Sequence, residues 1–149
     1  MAIGERIHHF RLLRGFTQKY LGQQLGFSDS QADVRIAQYE KGARSPKEKY
    51  LNALADIFEV SPHALAVPDI DSYVGLMHTL FTLEDLYRLH IGEIDGELCL
   101  RLDKSKGTTY LSMFDMFHAW QEQAEKLKSG EITQEEYDQW RYNYPKNAK

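Results

Sequence analysis

Cysteine is nearly absent from this chain of 149 residues. Cys99 stands alone, so no internal disulfide can form, and no Cys/His cluster has the spacing of a zinc site. Long apolar runs are missing as well. Every apolar stretch is short and broken by charge, which excludes a bilayer-spanning helix. Near the start, Glu5 and Arg6 stand where an export signal needs apolar residues. These absences point to a cytoplasmic protein with no structural metal, no cofactor and no membrane partner. An overall basic excess is lacking too, since the net charge is −4. The charge is uneven, however. Residues 1–67 carry nine Lys/Arg against seven Asp/Glu, a net +2, and residues 68–149 carry nine against fifteen, a net −6. The first stretch is the one that tolerates phosphates, and the second is kept off them.

What is present begins with helical spacing. Ile3, Ile7, Phe10 and Leu13 predict a first helix of about three turns ending near Gly15. Thr17 is an N-cap, with Phe16 before it and Leu21 placed as a hydrophobic staple, and the second helix runs from Gln18 to Leu25, stopping at Gly26. A third helix ends at Lys41-Gly42, where glycine takes the left-handed cap. Its start has two readings, since Ser28-Asp29-Ser30-Gln31 and Ser30-Gln31-Ala32-Asp33 both resemble capping boxes. Ser45, Pro46 and Glu48 read as cap, first and third residues of a fourth helix, with Tyr50, Leu51, Leu54, Ala55 and Phe58 on its apolar face. Ser61-Pro62 opens a short fifth helix through Leu65. Such a series is a compact all-α bundle able to close a small core by itself.

Thr17-Gln18, Leu21, Gly26, Ile36, Tyr39-Glu40-Lys41-Gly42, Arg44 and Ser45-Pro46, taken in order, resemble the phage repressor/Cro-type helix-turn-helix, the Xre family. The resemblance spans residues 3 to about 67 and implies a lambda-repressor-like DNA-binding domain. In that family the third helix lies in the major groove. The resemblance implies a phosphate contact for Gln18, at a positive helix end. It also implies a structural ion pair between Arg11 and Glu40. Counting back from Glu40, the family's base-reading positions fall on Asp33, Val34, Arg35 and Gln38. Gln31, Arg35 and Gln38 also form one polar stripe, and Arg and Gln have the donors and acceptors to read guanine and adenine edges. Asp33 can accept from cytosine N4, or it can simply cap the helix. Arg44, in the loop after the third helix, completes the DNA-facing set. The chain departs from the pattern at one place. Thirteen residues separate Gly26 from Glu40, where about nine are usual. The extra residues, within Phe27–Asp33, either lengthen the turn or extend the recognition helix, and Gln31 depends on which.

From Asp69 the composition turns acidic and aromatic. Residues 68–149 read as a small α+β domain: helix, β-hairpin, two helices. Ser72 to about Arg88 is a helix apolar on more than one face, which needs burial on two sides. Leu89–Ile94, the Asp95-Gly96 turn and Glu97–Asp103 read as a hairpin, with Ile94 opposite Glu97, Ile91 opposite Leu100 and Cys99 opposite Gly92. Leu89, Ile91, Leu98, Leu100 and Leu102 then share one face, to be covered by a helix over Thr108–Lys128 that ends at Ser129-Gly130. Thr133 and Glu136 form the capping box of a last helix carrying Trp140 and Tyr144.

The whole therefore reads as mainly α: a sequence-specific transcription regulator, a repressor binding double-stranded DNA at paired half-sites as a homodimer. Residues from about Asp69 onward are the candidate dimerisation or signal-sensing part, because two strands alone are marginal and their open edges invite another chain. No feature identifies a small-molecule or protein effector. A competing reading is an antitoxin-like interaction module whose acidic half masks a basic partner and which autoregulates its operon. An enzyme reading would gather His90, Glu93, Asp95, Glu97 and Asp103 as acid/base groups, but a solvated hairpin rim explains them more simply, and the chain reads as non-enzymatic.

Overall fold

The computed structural model describes residues 2–68, 70 and 72–145, with the side chain of Ala2 excepted. Asp69, where the composition shifts, lies outside the described residues. Helix α1 (Ala2–Leu13) turns Ile7, Phe10 and Arg11 inward. Thr17 caps α2 (Gln18–Gln24), its Oγ1 accepting from the Tyr20 amide at 3.1 Å. Helix α3 spans Ala32–Glu40 and buries Ala32, Ile36 and Tyr39. Helix α4 (Glu48–Phe58) buries Leu54, Ala55 and Phe58. Ile7, Phe10, Leu21, Ile36, Leu54, Phe58 and Leu65 are fully enclosed. Burying side chains of this size contributes about 1.5–3 kcal/mol each, which is what holds helices this short in place.

Three local expectations need correction. Neither Ser-x-x pattern caps α3: Gln31 occupies the cap position and its side chain makes no cap bond. Instead the Ser28 carbonyl accepts from the amides of Gln31 and Ala32 at 2.9 Å each, and Asp29 accepts from Gln23 Nε2 at 2.7 Å. The extra residues lengthen the turn and leave the helix short. Secondly, α4 starts after Lys47 rather than Ser45. Pro46 biases Ser45 away from the helical region, and the Arg44 amide is drawn back to the Gln38 carbonyl at 3.2 Å. Thirdly, the fifth helix is one 3-10 turn, Pro62–Ala64, capped by Ser61 Oγ.

The turn between α2 and α3 depends on one glycine. A Cβ added at Gly22 would collide with the backbone of Ala32. Gly22→Ala would otherwise favour a helix interior by about 1 kcal/mol. We expect the opposite sign here, a loss of about 1–3 kcal/mol from overpacking, read as a lower midpoint in thermal unfolding. A stabilised Gly22→Ala protein would show that the two helices do not approach this closely.

The chain forms two compact units. One is Ser72–Asp138, and the other is the chain before it together with the stretch from Gln139 on. The core of the N-terminal helices is therefore completed from the far end of the chain. Tyr142, at the end of α7 (Gln134–Tyr142), sets its ring edge-on to Phe10 at 4.9 Å, and its carbonyl accepts from the Ser61 amide at 3.0 Å.

In the unit Ser72–Asp138, Ser72 caps α5 (Tyr73–Tyr87) through the Gly75 amide at 3.0 Å. Strands β1 (Leu89–Ile94) and β2 (Glu97–Leu102) pair antiparallel with Ile94 opposite Glu97, Ile91 opposite Leu100 and Gly92 opposite Cys99. Asp95 (φ 53°) and Gly96 (φ 85°) both take positive φ, as a two-residue turn between twisted strands requires. Helix α6 (Gly107–Ser129) meets β2, and Gly130 ends it in the left-handed conformation. Thr133 and Glu136 bond reciprocally at 2.7 and 3.2 Å to start α7. Leu89 is the only buried side chain among the described residues of this unit. No helix among the described residues is long and apolar enough to cross a membrane.

Candidate nucleic-acid interface

The end of α3 is tied to α1 and α2 by one charged cluster. Arg11 Nε donates to Glu40 Oε1 at 2.5 Å, Arg11 Nη2 to Glu40 Oε2 at 3.1 Å, and Arg11 Nη1 to the Phe16 carbonyl at 2.9 Å. The side chains of Arg11 and Glu40 are only 10% and 6% exposed. Gln18 Nε2 donates to Glu40 Oε2 at 2.8 Å, and His8 Nδ1 lies 3.0 Å from the same oxygen. Burial pushes the Glu40 carboxyl upward, but the bonds from Arg11, His8 and Gln18 outweigh it and leave the group below its ordinary range. The carboxylate thus fixes α3 against the start of α2. Gln18 is held by this cluster as well, so its amide is oriented before any ligand arrives.

Two open hollows flank α3. Gln18, Asp33, Val34, Ala37, Gln38, Lys41 and Ala43 line the first, a groove of about 330 Å³ between the start of α2 and the outer face of α3. Val34 is 52% exposed at its rim. The second, about 610 Å³, is lined by Phe27, Arg35, Tyr39, Arg44, Ser45, Lys47, Lys49 and Tyr50. Here the Arg35 guanidinium sits 5.5 Å from the Phe27 ring centre, and Lys49 lies 5.7 Å from that of Tyr50. Gln31 occupies the position before α3 without capping it, is exposed, and lines neither hollow.

The structure thus divides the polar stripe of α3. Gln38 lies with Gln18, Asp33 and Val34 in the groove, whereas Arg35 turns aside onto Phe27 and joins Arg44. The cause is the helix itself. Ile36 and Tyr39 point into the core, which centres the outer face on Val34, Gln38 and Lys41 and leaves Arg35 at its edge. Sequence reasoning passes over Lys41, Lys47 and Lys49. The signal for the last two is nonetheless there: Arg44, Lys47 and Lys49 put three cations within six residues, directly after the glycine that ends α3. A groove floored by amides and flanked by cations suits a polyanion with hydrogen-bonding edges. The hairpin acids are arranged otherwise. Glu93, Asp95 and Glu97 are exposed, and the 260 Å³ cleft between the end of β2 and α6 is lined by Arg101, Lys104, Tyr110 and Phe114 among others, but by none of those acids.

A family model described as a helix-turn-helix domain matches residues 2–67. An uncharacterized HTH-type transcriptional regulator of Bacillus subtilis (strain 168), YazB, is 35% identical over 66 residues, which is 44% of this chain and 90% of that protein. The chain belongs to the helix-turn-helix transcriptional regulators. Among solved structures, that of the transcriptional regulator BswR is similar at 24% identity and a TM-score of 0.43, covering 57% of this chain and 95% of that one. In this helix-turn-helix regulator the matched region holds α1 to α4 and ends before the unit Ser72–Asp138 begins.

Proposed function

We propose that this protein is a cytoplasmic, non-enzymatic repressor of the Xre type that reads paired half-sites in double-stranded DNA as a homodimer. The observation that carries the reading is the convergence of Gln18, Asp33, Val34, Gln38 and Lys41 on one exposed groove, with Arg35, Arg44, Lys47 and Lys49 beside it. Residues 1–67 supply the DNA-reading surface, and residues 68–149, with their excess of acid, supply dimerisation or signal sensing. With α3 in the major groove, Val34 and Gln38 face base edges and Arg35 reaches a guanine from the flank. Gln18, Arg44, Lys47 and Lys49 meet phosphates, which positions the protein without reading sequence. Asp33 either accepts from a cytosine or serves only the start of α3, in whose first turn it lies.

Selecting bound sequences from a random DNA pool tests this directly. We expect a palindromic motif. Arg35→Ala should cost about 1–3 kcal/mol on that motif and relax one base position, whereas Gln18→Ala should weaken all sequences alike. An unchanged motif with Arg35→Ala would remove Arg35 from the reading surface. A second reading, an antitoxin-like module that neutralises a basic partner, is favoured by the acid excess of residues 68–149. A basic protein that co-purifies with the chain and loses its activity on binding would support it, and operator binding would not separate the two.

A further inference from the structure

The unit Ser72–Asp138 has a sheet of two strands and one buried side chain among its described residues. Two strands are marginal by themselves, and an uncovered edge of backbone groups recruits another strand. The register shows which groups are uncovered. With a two-residue turn, Ile94 and Glu97 exchange backbone hydrogen bonds, as do Gly92 with Cys99 and His90 with Arg101. The N–H and C=O groups of Leu98, Leu100 and Leu102 therefore point away from β1, along the free edge of β2. Among the described residues, no other backbone bond reaches these three. Leu98 is 77% and Leu100 46% exposed, and Leu98, Leu100 and Leu102 share one face.

The geometry points to a second copy of this chain on that edge: β2 pairs antiparallel with β2 of the partner about a twofold axis at Cys99, making one four-stranded sheet. This rests on the homodimer reading above and specifies its interface. The sequence of the strand is self-complementary in this register. Leu98 lies opposite Leu100 of the partner subunit, and their outward backbone groups form the hydrogen-bonded pairs. Glu97 lies opposite Arg101 of the partner subunit, twice by symmetry. Neither side chain has an ion-pair partner among the described residues of its own chain, and the Arg101 stem rests over Gly92, free to swing outward. Moving the axis one position to Leu100 sets Glu97 against Asp103 and Arg101 against Cys99, an acid pair in place of two ion pairs. The free edge of β1 offers no such match: with the axis at Gly92, Ile91 meets Glu93 and His90 meets Ile94. Of these registers, the one at Cys99 joins like with like on one face and opposite charges on the other within the strand itself.

The test uses the full chain. Glu97→Arg or Arg101→Glu alone should weaken the homodimer roughly ten- to hundred-fold in sedimentation, because like charges then face each other twice. Mixing the two single variants should restore a one-to-one dimer, since each supplies the charge the other lacks. In the unsubstituted protein, diamide should couple Cys99 to its partner copy, two thiols losing two protons and two electrons to the reagent. The non-hydrogen-bonded position brings such Cα atoms to about 4.5 Å, inside disulfide range. Single variants that stay as dimeric as the parent, or a mixture that stays monomeric, would overturn the β2 edge while leaving a dimer elsewhere in the chain intact. Absence of coupling in a proven dimer would do the same. A parent protein that is monomeric both alone and on its operator would instead overturn the homodimer reading itself.

Discussion

Arg11→Ala or Glu40→Ala should destabilise the helix-turn-helix unit by about 3–5 kcal/mol, several times the value of a surface ion pair. Both side chains are nearly enclosed, and each single change leaves the other charge without its match. Arg11→Ala also strips the Phe16 carbonyl of its donor, and Glu40→Ala releases Gln18 and His8 together. Denaturant unfolding with the two single variants and the double variant separates the pair from its surroundings. We expect the double variant to lose less than the sum, since neither charge is then stranded. The same carboxylate predicts an acid limb. Its folded pKa lies below the ordinary 4.5, so its contribution is present at neutral pH and is lost as pH falls below that value through the lowered one. Glu40→Gln should flatten this part of the stability profile. Wild-type stability in either alanine variant, or an unchanged acid limb, would mean that the cluster is open to water.

The full chain should bind an operator with two half-sites about 34–36 Å apart some 10²–10⁴ times more tightly than a single half-site. One α3 with the few side chains of its groove makes a small interface, and the second binding event becomes intramolecular only when two readers are joined. Shifting one half-site by half a helical turn should abolish the gain, because the second reader then meets the wrong side of the duplex. Titrations at fixed salt check this, since phosphate contacts make every affinity salt-dependent. Equal affinity for one and two half-sites would argue for a monomeric reader. A fragment ending at residue 67 is a poor substitute for the full chain, because it lacks the Tyr142 ring that packs on Phe10.

Elements governed by near neighbours are legible in the sequence itself. The Asp95-Gly96 turn admits one pairing of its flanking strands, so the register follows from two residues. The Thr133–Glu136 box and the Gly130 stop are equally local. The start of α3 cannot be decided that way: two overlapping serine patterns offer equivalent caps, and the outcome turns on Gln23 reaching Asp29 from another helix. Ser45-Pro46 resembles a cap, but the pull of Gln38 on the Arg44 amide lies outside any local pattern. Of the candidate site, the helix and its outer residues are readable from periodicity. The turning of Arg35 onto Phe27 is not, because it depends on where the lengthened turn sets that ring.

The docking of Tyr142 has a consequence for synthesis. His9 and Tyr142 meet across 133 positions of chain, and the Ser61 amide waits for the same late residue. At about 5–20 residues per second, the roughly 75 residues between the matched helices and Tyr142 take about 4–15 s to be made. During that interval the nascent helix-turn-helix can collapse around Leu21, Ile36 and Leu54, but one side of Phe10 stays uncovered. The helix-turn-helix is thus made first and sealed last, and a chain halted within Ser72–Asp138 leaves Phe10 without the ring that covers it.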